Sequence, residues 1–457
     1  MANSYLSRTI SSSPTNPDKF TISMWVKRSK LGSEQAIMGQ YASANFRGKI
    51  DFLSDDRIEY IQKNDGNTTA NLITTRKFRD TSAWYHLVYQ FDTSQGTSSN
   101  RIKLYVNGVQ ETAFDTASYP AQDLDMRLNQ ASGTLNIGQD GNSANYFEGY
   151  ISHIALADGQ TYAPTSFGQT DATSGIWKFI SPSGITWGDD GFHLKMENSG
   201  NLGLDSSGQT NNFTVNGNLK QALDTPSNNH ATMATPTWYN GSITEGGNTV
   251  GSAGATAYRY QIANLGVNKG KWYWEVKLVT LGDYMLTGIT GTASYITGST
   301  NILGSAASDY SVVYNTAGGN GHKYNNAGAS PTNTPGAYMA AFNTNDILTF
   351  ALDCDNNTLK IGANGNWSNG SGSTNQTFAN GNTLSIVAPA STPSGFYFPA
   401  CGEYGGANDV WSWNFGNGFF GTTAIASAGS NGNGSLFEYD VPSGYYALNT
   451  KNINTYG

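Results

Sequence analysis

Runs of alternating apolar and polar residues recur along the chain, separated by clusters of Gly, Asn, Asp and Ser, and helical periodicity is almost absent. A period of two sends successive side chains to opposite faces of a strand, so the pattern predicts antiparallel sheets with one buried face. In the run from Phe20 to Lys27, Phe20, Ile22, Met24 and Val26 alternate with Thr21, Ser23 and Lys27, and only Trp25 breaks the polar face. A half-buried strand is expected there. The same grammar continues from Trp84 to Asp92 and from Ile102 to Val106, which runs into Asn107-Gly108. That pair favours a type I′ hairpin, in which both central residues take positive φ. Further strands are expected from Gly133 to Gly138 and from Gly149 to Leu156. The fold class is all-β.

At 457 residues the chain exceeds what one core usually holds, so two domains of about 200 residues each are expected. Only 13% of residues are charged, against roughly 25% in an average soluble domain, while 54 glycines and 12% aromatics suit many short strands and tight turns. The net charge of −8 argues against a nucleic-acid surface, which needs clustered Lys and Arg. The longest basic grouping, Lys27-Arg28-Ser29-Lys30, reads as a solvated strand end. The amino terminus MANSYLSRTI lacks the apolar core of a secretory signal, and no stretch approaches the ~20 apolar residues of a membrane span. Cytoplasmic synthesis without membrane insertion is therefore expected. Cys354 and Cys401 show neither metal-site nor disulfide spacing and read as buried free thiols.

The segments FTISMWVKR, WYHLVYQFD, KLYVNGV, LNIG and FEGYISHIALADG, in that order, resemble the laminin-G and pentraxin-like branch of the concanavalin A-like lectin and glucanase superfamily over about Ser4 to Glu197. Residues 200–235, rich in Asn, Ser, Gly and Thr, read as a connector. Beyond it, KGKWYWEVKL, the pair Gly288-Ile289, the run Tyr310 to Tyr314, NDILTFALDCDNNTLKIGANGNW, FYFPACGEY and Trp413-Asn414-Phe415-Gly416 resemble the SPRY pattern over about Pro236 to Gly418. Within this pattern Asp355-Asn356-Asn357 has the turn chemistry of a hairpin. Its long Asn and Gly loops depart from cellular SPRY sequences, so that family's peptide-binding loops do not carry over. The two resemblances imply two tandem antiparallel jelly-roll or concanavalin-like β-sandwiches, at 1–199 and 236–418. The extension 419–457 packs on a domain or a neighbour. Finally, GDDGFHLKM, NLGLDSSGQTNNFTV, DTPSNNHATM and VPSGYYALNTKNI resemble recurring segments of virion proteins from aquatic tailed phages, which usually serve as tail fibres, spikes or head appendages.

A glucanase of this superfamily carries paired carboxylates as Glu-x-Asp-x-x-Glu, one a nucleophile and one a general acid. The nearest approach is Glu438-Tyr439-Asp440-Val441-Pro442-Ser443, where Ser replaces the second Glu and Pro interrupts the strand. There is no Gly-x-Ser-x-Gly elbow, and Gly266 to Lys271 is one residue too short for a phosphate loop. The histidines His86, His153, His193, His230 and His322 are dispersed without metal-ligand spacing. The chain does not read as an enzyme, and a depolymerase would need carboxylates remote in sequence to converge in space.

Binding remains. Sugars are held by aromatic faces and by Asn, Asp and Gly groups that match hydroxyls. The loop Gln139 to Tyr146 offers Asp140, Asn142, Asn145 and Tyr146 as glycan-binding candidates, with an ordinary polar turn as the competing reading. Asp140 and nearby backbone oxygens are also hard ligands of the calcium type, but the carboxylate count is low and no metal or other cofactor is expected. In the second domain Trp367, beside Asn364-Gly365-Asn366, and Tyr404, beside Gly405-Gly406, are candidates for a loop-end groove, with core or turn packing as the alternative. The expected function is a non-catalytic virion surface protein that recognises host-surface glycan. Its expected partners are other virion proteins, copies of itself (a trimer, by analogy) and host polysaccharide. The alternative is a structural head-decoration or tail-junction protein.

Overall fold

Where the sequence alternates, the chain forms strands, and nearly all of them are antiparallel. The computed structural model describes residues 4–131, 133–233, 241–252, 259–292, 303–314, 321–325, 338–403 and 408–457. Contacts divide the chain into two units, Met1–Gln221 and Ala222–Gly457.

The first unit packs two sheets. One has eight strands, from edge to edge Phe114–Ser118, Asn67–Lys77, Arg57–Asn64, Phe46–Phe52, Gln35–Ser43, Gly133–Ile137, Tyr5–Ile10 and Thr214–Asn216. The other has six: Phe192–Leu194, Gly149–Asp158, Lys19–Arg28, Tyr85–Asp92, Ile102–Val106 and Val109–Glu111. Their inner faces share one core, in which Ile50, Tyr60 and Leu72 of the first meet Ile22, Met24, Leu87 and Phe91 of the second. The Tyr60 ring meets Phe91 edge-on at 5.2 Å. Each such side chain contributes about 1.5–3 kcal/mol on burial. Asn107 and Gly108 have φ of 50° and 80°, the type I′ turn their pairing predicts.

Two expectations fail here. The strand Lys19–Arg28 is not half-buried, because every residue from Phe20 to Arg28 is buried on both faces. The reason is later chain laid on the outer side of this sheet: Gln160 and Tyr162 bond Thr21, and the aromatic rings of 177–187 lie beside them. Nor is the basic run after it a solvated edge. Arg28 is fully buried, donates to Asp56 Oδ1 at 3.1 Å and to the Phe78 carbonyl at 2.8 Å, and lies over the Phe52 ring.

The polar stretch 200–235 is shared between the units. Phe213 enters the first core and Thr214–Asn216 pairs with Tyr5 to Ser7, whereas Ala231 and Met233 enter the second core.

In the second unit one sheet runs Gly241–Thr244, Thr249–Ser252, Val410–Asn414, Lys271–Thr280, Ile347–Asp353, Thr358–Ala363, Asn366–Ser368 and Thr374–Gln376, with Leu384–Ser385 and Tyr446–Ala447 attached beside it. Against it packs a five-stranded sheet of Arg259–Ile262, Phe398–Glu403, Met285–Thr290, Asp309–Tyr314 and His322–Tyr324. Trp272, Trp274, Trp411 and Trp413 are wholly buried in the shared core. Cys354 and Cys401 are buried, free thiols.

The carboxy-terminal extension is integral to this unit. Tyr446–Ala447 pairs in parallel with Trp272 and Tyr273. Phe437, Val441, Tyr445 and Ala447 pack on Tyr273, Ala351 and Trp367. The helix Thr450–Tyr456 is capped by Asn449, whose side chain accepts the Asn452 N–H at 2.9 Å.

Candidate functional site

The loop 139–146 leaves the strand Gly133–Ile137 and folds over Gln35–Ser43, so closely that a Cβ on Gly39 would stand 2.6 Å from the Asp140 carbonyl oxygen. Asp140 Oδ1 accepts the N–H groups of Asn142 at 2.8 Å and Ala144 at 3.3 Å, and Oδ2 accepts from Asn145 Nδ2 at 3.1 Å. Asn145, at φ 53°, also donates to Glu34 Oε1 at 2.9 Å. The Tyr146 hydroxyl accepts from Gln139 Nε2 at 3.2 Å, and its ring lies 6.0 Å from that of Tyr5. The fold thus gathers Asp140, Asn145 and Tyr146 and leaves Asn142 exposed at the tip. Most of their polar capacity is spent inside the loop, as in an Asx turn. Among the described residues no group of three or more His, Cys, Asp or Glu is placed to hold a metal ion.

Trp367 lies in the strand Asn366–Ser368, only 6% exposed, with its ring edge-on to Phe378 at 5.0 Å and within the cluster that holds the carboxy-terminal extension. It is a packing residue with no face open to a ligand. Tyr404 lies outside the described residues.

The stretch 177–187 sets one aromatic ring beside each of three histidines. Trp177 stacks near His86 at 6.0 Å, Phe179 on His153 at 3.7 Å and Trp187 on His193 at 5.6 Å. Beneath the first of these, Ser23 Oγ lies 2.8 Å from His86 Nε2, the spacing of a nucleophile and its base. The other ring nitrogen decides the chemistry. Trp177 Nε1–H donates to His86 Nδ1 at 2.9 Å, and an indole N–H can only donate. Nδ1 therefore carries the lone pair and Nε2 the proton, so His86 donates to Ser23 and cannot deprotonate it. Burial pushes the His86 pKa down to about 3 and those of His153 and His193 to about 4, which keeps all three neutral. This pair is structural. Its members sit on the face that the alternation marked as polar.

Carboxylates remote in sequence do converge on the outer side of the eight-stranded sheet. Asp51 lies opposite Glu59 in register, and Lys49 Nζ reaches Asp51 Oδ2 at 2.7 Å and Glu34 Oε1 at 2.5 Å. Burial outweighs the pull of Lys49 and lifts Asp51 to about 8; burial raises Glu59 as well. A carboxyl held protonated at neutral pH suits a general acid. Asp51 is nevertheless fully buried and Glu59 only 7% exposed, so neither meets a substrate.

An open cleft of about 370 Å³ on the first unit is lined by hydroxyls and amides, including Ser7, Thr9, Ser12, Thr210 and Asn212. Among its described lining residues the one cation, Arg8, is spent on Asp190 Oδ1 at 2.8 Å and Asn211 Oδ1 at 2.6 Å. The surface it offers is neutral and hydroxyl-rich.

Residues 2–163, about a third of the chain, match the laminin-G family of the concanavalin A-like lectin/glucanases superfamily. No curated protein matches the chain. Among solved structures the chain is similar to the SPRY domain of human HERC1, at 15% identity over 39% of this chain and 93% of that one, with a TM-score of 0.28.

Proposed function

We propose that the chain is a non-catalytic glycan-recognition protein on the surface of a bacteriophage particle, a tail fibre, spike or similar appendage that adsorbs to host-surface polysaccharide. The observation that carries this reading is the match of residues 2–163 to a lectin and glucanase superfamily. The neutral, hydroxyl-lined cleft beside Arg8 is chemically suited to a sugar. The tautomer of neutral His86, with its proton on Nε2, and the burial of Asp51 and Glu59 support binding without turnover. The particle assignment is supported by the segments GDDGFHLKM and NLGLDSSGQTNNFTV. Assembly with copies of itself, a trimer by analogy, and with other virion proteins would cover edge strands such as Phe114–Ser118 and multiply weak sugar contacts.

A second reading, a structural decoration or tail-junction protein, draws on the inward-turned polar groups of the loop 139–146. One experiment separates the two. The intact particle is imaged by electron cryomicroscopy, and the isolated chain is mixed with host polysaccharide and assayed for binding and for reducing ends. Distal loops and binding without release of reducing ends are expected. Burial of the loops against the shell would favour the structural reading, and sustained hydrolysis would overturn the non-catalytic one.

A further inference from the structure

We propose that the second unit carries a binding cleft of its own for a single neutral sugar residue, formed by Tyr310, Asn325, Asn382, Thr383 and Ser385. The proposal rests on the reading of the chain as a glycan binder and adds a contact point away from the loop 139–146. The cleft measures about 310 Å³ and opens where the strand Asp309–Tyr314 of the five-stranded sheet faces the stretch 382–385. That stretch is anchored to the other sheet by the pairing of Leu384 and Ser385 with Leu359 and Thr358. Both sheets therefore fix its walls. Its volume falls at the low end of small-molecule sites, which run from roughly 300 to 1,000 Å³.

The lining has a definite chemical character. Tyr310 is 8% exposed, and its ring is held in place by the Val387 N–H, which donates to its hydroxyl at 2.9 Å. Ser311 is spent, donating to the Leu303 carbonyl at 3.2 Å. Asn325 Nδ2 donates to the carbonyls of Asp309 and Ala307, which leaves its side-chain oxygen as the group it offers. The Asn382 amide is seated by Gly370, where a Cβ would come within 2.5 Å of its nitrogen. Asn382, Thr383 and Ser385 make no side-chain hydrogen bond to other described residues. Among the described residues no Lys, Arg, Asp or Glu lines the cleft. The neighbouring Asp309 carboxylate is taken up by Thr290 Oγ1 at 2.8 Å and by the Gly304 N–H at 3.2 Å.

This composition selects a ligand class. A charged ligand would shed its hydration without meeting a counter-charge. A purely apolar one would leave the amides and hydroxyls unpaired. A neutral pyranose avoids both costs. The Asn382 amide presents a donor and an acceptor side by side, which matches vicinal hydroxyls, while Leu384 meets the C–H face and the buried Tyr310 closes the floor.

The test is saturation-transfer NMR of the full chain with glucose, galactose, mannose and N-acetylglucosamine, and with galacturonate as a charged control. The wild type is compared with Asn382→Ala and with Ser385→Phe, which fills the cleft; unchanged tryptophan emission verifies folding. Transfer from at least one neutral sugar is expected, with affinity falling at least tenfold in both variants. Transfer that persists in both variants would overturn the cleft and leave glycan recognition standing at another site. No transfer from any sugar in the wild type, or a preference for galacturonate, would also overturn it, and binding of host polysaccharide would then report separately on the broader function.

Discussion

Glu275 pins the carboxy-terminal extension to the second sandwich, and its replacement by Gln has a calculable pH signature. The side chain is wholly buried. Oε1 accepts the Tyr439 N–H at 2.9 Å and the Tyr273 hydroxyl at 3.0 Å, while Oε2 accepts the Glu438 N–H at 2.9 Å and Asn414 Nδ2 at 3.3 Å. These four donors favour the carboxylate, but burial outweighs them and lifts its pKa to about 7 from the ordinary 4.5. The folded chain therefore keeps a proton that the unfolded chain has released between those values. Stability is full below about 4.5 and falls as pH rises to 7, by about 1.4 kcal/mol per pH unit. Gln cannot ionise and lacks this slope. At pH 5 its amide nitrogen faces donors it cannot accept from, at a cost of about 1–3 kcal/mol for an unsatisfied buried group. At pH 8 the wild type bears its own ionisation cost, and the deficit of Glu275→Gln should shrink by about 2–3 kcal/mol. Urea unfolding followed by tryptophan emission, with Trp272, Trp274, Trp411 and Trp413 all buried in this unit, reads the difference at both pH values. Other titrations cancel between variant and wild type. A deficit that grows from pH 5 to pH 8 would refute the reasoning, because it would mean that the four donors prevail over burial.

Three further outcomes are expected. Because burial depresses His86, His153 and His193 below the ordinary 6.5, the contribution of these groups to the first sandwich should be complete above that value and be lost as pH falls towards 4; hydrogen-exchange protection factors in residues 177–187, corrected for the intrinsic rate at each pH, should fall over that range, and protection factors independent of pH would count against the stacked arrangement. Trp177→Phe keeps a ring over His86 but removes the indole donor, so the ¹⁵N shifts of His86 should move towards a tautomer mixture at a cost of about 1–2 kcal/mol; unchanged shifts would refute the assigned proton position. Gly39→Ala drives a methyl into the Asp140 carbonyl and should displace the loop 139–146, lower stability by about 1–3 kcal/mol and deprotect the Asn142 and Ala144 amides; retained protection would show that the loop is not seated as described.

Much of the fold was legible because strand and hairpin signals are local. Phe20 to Val26 alternate because one face meets the core, and Asn107-Gly108 turns because both residues accept positive φ. The loop 139–146 was legible as a loop, and an Asp140 side chain that accepts the main-chain N–H two residues later is the signature of an Asx turn, so its inward-turned polarity was also within reach. Core packing of Trp367 was one of the two readings open in the sequence; the partners that decide it, Phe378 and the distant Tyr445, were not visible there.

What alternation could not supply is what covers the second face of a sheet, since that partner is set by chain far away. Trp177 reaches His86 across 91 residues, and Glu438 reaches Glu275 across 163. The residues on the covered faces still carried a trace of it. A face meant for water has no reason to hold Trp25 and His86 on adjacent strands, or Tyr273 in the second sandwich, because large rings gain nothing there over Thr or Lys. In both sandwiches these misfits mark where later chain is laid down, 177–187 over the first and 436–447 over the second. A strand whose polar face is interrupted by an aromatic ring, with a second aromatic or histidine in register beside it, is therefore better read as buried on both sides. Part of the polar-looking remainder of the chain must then be its cover, which is how the stretch 177–187 functions here.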